Sequence, residues 1–175
     1  NAAQAKLALG KLDDQYSRVK GGQDMMLAAY QRIMECFTNL KRHDEARILA
    51  EHLAKFSASD MKMSAMYVKL TSLVETRNAD AAVDALEEFQ NAFGMNNPMV
   101  AQIPVVIAQI YVQDKEFQKA LSMLHVMLDN YPDHELAEDA HYLKLSAEYL
   151  LNDFESCRGS ADAYVNKYPK GKYLA

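Results

Sequence analysis

The chain has 175 residues, half of them apolar, with 6 Gly, 4 Pro and a formal net charge of −5. That length suits one ordinary domain or one continuous repeat array, and so few turn formers exclude a many-stranded β fold in favour of long helices. The acidic balance offers no basic stripe for nucleic acid, and no apolar stretch approaches the ~20 residues that span a bilayer.

Residues 2–19 are expected to form a leading helix, with Ala5, Leu9, Leu12, Tyr16 and Val19 on one face and Gly21-Gly22 as its stop. With nothing paired in front of it, this helix reads as the second helix of a truncated repeat. The chain begins at Asn1 rather than Met, so a removed signal or anchor stays open. Four helix pairs are expected next, over 23–58, 59–96, 97–133 and 134–170. In the first pair, Leu27, Tyr30, Ile33, Met34 and Phe37 recur at helical spacing, followed after a polar hinge by Ala46, Leu49, Ala50 and Leu53. The second pair covers roughly 60–76 and 79–93, with Met63, Met66, Tyr67, Leu70, Leu73 and Val74 as its first stripe. The third covers roughly 98–113 and 115–130. Pro98 suits a first turn, whereas Pro104 either kinks that helix or makes it start later. The fourth covers roughly 135–151 and 154–168.

The pairs echo one another. Tyr131-Pro132 and Tyr168-Pro169 are 37 residues apart, each closing a segment that opens on a polar hinge. Asp114 in one hinge, and Asn152 or Asp153 in the other, are the expected helix-start signals. A small residue opens each second helix, at Ala46, Ala82, Ala120 and Cys157, in steps of 36, 38 and 37. Such a period belongs to helical repeat arrays.

This pattern resembles the tetratricopeptide repeat (TPR) family. Its small residue in the first helix is read at Ala108 and Ser146, its closing aromatic at Phe37, Tyr111 and Tyr149, and its terminal proline at Pro132 and Pro169. Met34 and Leu70, Leu73, and Ala58 and Gly94 depart from those three positions in the other pairs. Tyr131-Pro-Asp-His-Glu-Leu-Ala-Glu-Asp-Ala-His-Tyr142 and Tyr168-Pro-Lys-Gly-Lys-Tyr173 are further similar to junctions of bacterial cell-envelope repeat proteins, such as outer-membrane assembly lipoproteins and the Tol-Pal-associated coordinator. The resemblance implies an all-α, right-handed α-solenoid of about four antiparallel pairs plus one leading helix, within a single repeat domain. It also leans the localisation toward the bacterial periplasm or outer membrane.

A helix pair cannot bury both apolar faces alone, so pairs stack and leave an extended surface lined by first helices. By register that surface carries Gln31, Glu35 and Asn39, then Ser64, Tyr67 and Thr71, then Gln102, Val105 and Gln109. Amides, hydroxyls and an aromatic suit an extended peptide or a partner helix. The expected function is therefore a non-catalytic scaffold that binds a protein or peptide, with no cofactor, no nucleic acid and no direct membrane insertion. A family clamp that holds a C-terminal carboxylate needs cations, and Val105 and Gln109 are not cationic.

Two alternatives stay open. The end repeats could stack on another copy and make this an oligomerisation module. His134, Glu138 and His141 share a helical face and could ligate zinc in a metal-dependent enzyme, although a solvated acidic helix start, where the dipole favours Asp and Glu, explains them better. No phosphate-cradling glycine loop, nucleophile elbow or C-x-x-C occurs. Cys36 and Cys157 sit at positions typical of small core residues.

Overall fold

The computed structural model describes residues 2–55 and 59–174, with side chains described for 7–55 and 61–174. The side chain of Ala5 and all of Ala58, which the sequence reading used, lie outside that set. All regular structure among the described residues is helical: α1 (Ala2–Tyr16), α2 (Gly22–Asn39), α3 (His43–Leu53), α4 (Ser59–Glu75), α5 (Ala79–Phe93), a 3₁₀ turn (Pro98–Val100), α6 (Ile103–Gln113), α7 (Phe117–Asn130), α8 (Ala137–Leu150) and α9 (Phe154–Lys167). The chain divides into two compact units, Asn1–Phe93 and Gly94–Ala175.

In the first unit, spacing dictates the core. Met26, Leu27, Tyr30 and Met34 of α2 meet Leu49, Ala50 and Leu53 of α3 and Ala65 of α4 in one buried cluster. Ala82, Ala85, Leu86 and Phe89 give α5 its buried face. The pairs α2–α3 and α4–α5 stack because α3 packs on α4. A salt bridge from Lys69 Nζ to Glu88 Oε2 (2.6 Å) ties α4 to α5 at the surface. Such exposed pairs are worth ~1 kcal/mol at most, so the apolar layers hold the stack.

The leading helix does not sit as the second helix of a preceding pair. It packs on both α2 and α3, whereas α3 packs chiefly on α4. A polar cluster fixes it there. Asp13 Oδ2 lies 2.7 Å from His52 Nε2, the Tyr30 hydroxyl donates to Asp13 Oδ1 and to the Leu9 carbonyl (both 3.4 Å), and the Tyr30 and His52 rings meet edge-on. Burial first, then the Asp13 carboxylate, pushes the Tyr30 phenol up to about 12. The helix ends at Tyr16, three residues before Val19, which is exposed. The glycines serve the next helix instead. Gly21 adopts φ 75°, and a Cβ on Gly22 would sit 2.4 Å from the Tyr16 carbonyl oxygen, so only glycine fits.

In the second unit, α6–α7 and α8–α9 stack through α7 and α8. The Pro104 alternative resolves as a late start. Asn97 accepts from the Met99 amide (3.0 Å) to begin the 3₁₀ turn, and α6 begins at Ile103 with Pro104 in its first turn, where the missing N–H is an orphan anyway.

The four pairs share one hinge. Lys41, Arg77, Lys115 and Asn152 have φ of 56°, 57°, 63° and 60°. In each hinge the next amide donates five residues back, from Arg42 to Phe37, Asn78 to Leu73, Glu116 to Tyr111 and Asp153 to Glu148. This is the Schellman arrangement, which satisfies the last helical carbonyls. Five residues after each left-handed residue stands the small residue, Ala46, Ala82, Ala120 or Cys157. The repeat frame read from the sequence is thus a backbone frame, and the α-solenoid type of fold follows from it within each unit.

That frame corrects the sequence reading by one residue in the fourth pair. The counterpart of Tyr111 is Glu148, not Tyr149, and the counterpart of Ala108 is Leu145, not Ser146. Tyr149 is 59% exposed, whereas Glu148 is only 4% exposed and pairs with Lys144 Nζ at 2.5 Å. Lys144 also donates to Ser160 Oγ on α9 (2.6 Å). Asp114 does not start α7; it ends α6, and Glu116 takes the N-cap without a side-chain bond. Asp153 does cap α9, accepting from the Ser156 amide (3.1 Å).

Candidate functional site

The residues expected on the first-helix surface fall into separate patches. On α2, Glu35 and Asn39 are exposed and Gln31 is half-buried. With Ala28, Arg32 and Cys36 they line one shallow depression, in which the Gln31 amide donates to Glu35 Oε1 at a long 3.5 Å. On α4, Ser64, Tyr67 and Thr71 are all half-buried. The Thr71 hydroxyl is already used, donating to the Tyr67 carbonyl (3.0 Å). Among the described residues, no α4 residue joins the α2 depression.

In the second unit, Gln102 and Gln109 are exposed but Val105 between them is not. Val105 is 2% exposed, so it does not belong to a binding surface. The cause is long-range. Ile103, Pro104, Val105, Ile107, Ala108, Ile110 and Tyr111 are all buried, the signature of a helix covered nearly all round. A seven-residue spacing of glutamines looks like an open face in sequence, but burial depends on neighbours the spacing does not reveal.

A surface the sequence reading assigned to the core lies on the adjoining face of α2. An open groove between α1 and α2 is lined by Leu12, Tyr16, Met25, Met26, Ala29, Tyr30 and Ile33. A second groove continues it toward α3, lined by Ala8, Leu9, Leu12, Ile33, Phe37 and Ile48 among others. Leu12, Tyr16, Met25 and Ile33 are exposed, so four large apolar side chains share one continuous surface. Monomeric proteins rarely expose contiguous apolar surface without use for it. The cause is the seat of α1 against both α2 and α3, which the sequence does not encode locally. Leu12, Tyr16 and Ile33 obey helical spacing whether or not anything covers them.

His134, Glu138 and His141 are each held in structural contacts. His134 Nδ1 accepts from the Leu136 amide (3.2 Å) at the start of α8. Glu138 Oε1 accepts from the Tyr164 hydroxyl and from the Lys172 amide, both at 2.7 Å. The His141 ring meets Tyr168 edge-on, and its Nε2 lies 3.4 Å from Lys167 Nζ. Burial, and then Lys167 and Lys144, hold His141 below the usual imidazole range. Among the described residues no group of three such side chains is placed to hold a metal ion.

Glu138 belongs to a C-terminal clasp that runs from Tyr168 to Leu174. The Tyr173 ring stacks on Tyr142 with centroids 3.9 Å apart and planes 7° from parallel. The Tyr173 hydroxyl donates to Asp139, and Lys172 Nζ lies 2.7 Å from the same carboxylate. Burial opposes ionisation of Asp139, but the bonds from Lys172 and Tyr173 outweigh it and keep the carboxyl below its usual range. The bond to Asp139 pushes the Tyr173 phenol up to about 12. A Cβ on Gly171 would lie 2.5 Å from the Tyr164 hydroxyl, 2.6 Å from Glu138 Oε1 and 2.9 Å from Tyr168 Cβ, so a larger residue must displace part of the clasp.

Among the described residues, no helix is long and apolar enough to cross a membrane. Residues 59–147, just over half of the chain, match the family model described as YfiO: Outer membrane lipoprotein. The matched region begins at α4 and ends inside α8. It therefore takes in the second pair, which departs from the repeat consensus, along with the third pair and the Tyr131-Pro132 junction. No match was found among curated proteins or among solved structures.

Proposed function

We propose that this chain, which belongs to the YfiO family of outer membrane lipoproteins, is a non-catalytic module that docks a protein partner at the outer membrane. The observation that carries the reading is the apolar groove of α1 and α2, open to solvent through Leu12, Tyr16, Met25 and Ile33. The occupant that suits it is an amphipathic helix, which lays an apolar face into such a groove with anchors one turn apart. Gln31, Glu35 and Asn39 line the depression that adjoins this groove on α2 and supply a polar face for an extended segment of the same partner. The absence of a basic stripe favours protein over nucleic acid. The structural engagement of His134, Glu138 and His141 favours binding over metal-dependent catalysis.

The test is site-specific photocrosslinking in cells. A photoreactive residue at Leu12, Met25 or Ile33 is expected to give a discrete protein adduct, and one at the exposed Asp84 of α5 is not. Adducts confined to Gln31 and Glu35 would move the site to the adjoining polar depression on α2. Equal adducts at Asp84 and Ile33 would sink the docking reading. For the catalytic alternative, stoichiometric zinc, iron or manganese in protein purified without added metal would favour the enzyme.

A further inference from the structure

Phe154, Arg158, Ala161, Asp162 and Val165 of α9 fall on one stripe at helical spacing. Phe154 and Val165 are 59% and 48% exposed; Arg158 and Asp162 are exposed, and Ala161 is half-buried. Tyr149 and Leu150, exposed at the end of α8, widen the apolar surface beside Phe154. The counterparts 37 residues earlier on α7 are Phe117, Leu121, Leu124, His125 and Leu128. Phe117, Leu121 and Leu128 are half-buried and Leu124 is buried, on a helix that packs against α8. The fourth pair thus presents a stacking face of the same kind, uncovered among the described residues.

What separates the two faces is charge. Arg158 stands where α7 has Leu121, and Asp162 stands where it has His125. These opposite charges lie one turn apart on the same flank of the stripe. Two α9 helices laid antiparallel bring the same flank of each together. A twofold axis at Ser160 then sets Arg158 opposite the partner's Asp162, and Asp162 opposite the partner's Arg158. The same axis brings Phe154 beside the partner's Val165. A face that complements itself under a twofold is what an isologous dimer requires.

We propose that α9 is the interface of a twofold dimer of this chain, closed by two reciprocal Arg158–Asp162 pairs between apolar ends. This is independent of the groove on the first unit. The test is solution mass by sedimentation equilibrium across a range of concentrations. The parent is expected to rise from 19.7 kDa toward twice that mass. R158D and D162R are each expected to remain monomeric where the parent is dimeric, because each sets like charges opposite one another. The double variant R158D/D162R is expected to recover the dimer, since the swap restores both pairs. Both side chains are exposed, so an unchanged circular dichroism spectrum accompanies all four proteins. A parent that stays monomeric throughout, single swaps that leave the dimer intact, or a double swap that stays monomeric would each overturn the proposal.

Discussion

The third and fourth helix pairs have one backbone and two kinds of filling. Their hinges make the same bonds, and their exits match as well. Tyr131 and Tyr168 accept from amides three residues on, at His134 (3.1 Å) and Gly171 (2.8 Å). Between those points, Ile107, Tyr111 and Met123 of the third pair are replaced by Lys144, Glu148 and Ser160. The apolar trio is buried, whereas the polar trio holds a carboxylate whose Oε2 has no hydrogen-bond partner among the described residues. The backbone geometry of a pair therefore does not depend on apolar residues at these three positions. Side chains are free to set how firmly a pair holds and what its outer face does.

The largest effect should come from the apolar pair. Leu124 is fully buried, and Leu124→Ala should cost about 2–5 kcal/mol, the range for cavity-forming core truncations, measured by urea denaturation. Alanine already occupies the matching position, Ala161, so the same chemistry holds there with no penalty to remove. Transplanting the apolar trio by Lys144→Ile, Glu148→Tyr and Ser160→Met should raise stability by about 1–4 kcal/mol, because a buried ion pair often loses to well-packed apolar groups. Glu148→Ala alone should lower it, by leaving Lys144 without its carboxylate. A transplant that destabilises would show that the polar trio is required by the fourth pair's packing.

The exits differ at Asp133 against Lys170 and at His134 against Gly171, and Gly171→Ala should release the clasp at a cost of about 1–3 kcal/mol from overpacking. Loss of the Tyr142–Tyr173 stack in aromatic NMR shifts reports it. The clasp should also respond to pH at both ends. The folded Asp139 pKa is depressed, so its contribution is present above the unfolded carboxyl value near ~4 and is lost as pH falls through the lower folded value. The folded Tyr173 pKa is raised, so its contribution is complete below the unfolded value near ~10 and is lost as pH rises through about 12. Asp139→Asn should flatten the acid limb and leave the chain otherwise folded. The smallest effect belongs to the hinges. Lys115→Gly should gain at most ~1 kcal/mol by relieving a left-handed side chain, and Asn152→Gly less, because asparagine tolerates that region.

Much of this architecture was legible from the sequence. Leu27, Tyr30 and Met34, or Ala82, Leu86 and Phe89, bury at the spacing that identifies their helices, and the small residue opening each second helix marks the true frame. The errors arose where local pattern is silent about neighbours. Tyr149 looked like the partner of Tyr111 because both are aromatic, yet the hinge counts Glu148 in that place. Val105 looked open between two glutamines, but other helices cover it. Leu12, Tyr16 and Ile33 looked buried, but α1 lies across two helices and leaves them in solvent.

The shared hinge also bears on how the chain reaches this state. Each one closes a loop of only a few residues, and loops of about ten residues close in ~10–100 ns. The two helices of a pair can therefore meet early, before any distant segment is recruited. Topologies built from such near-neighbour meetings fold in microseconds to milliseconds, so little apolar surface waits uncovered for long. The practical result is short-lived exposure to misassociation each time the chain regains its structure.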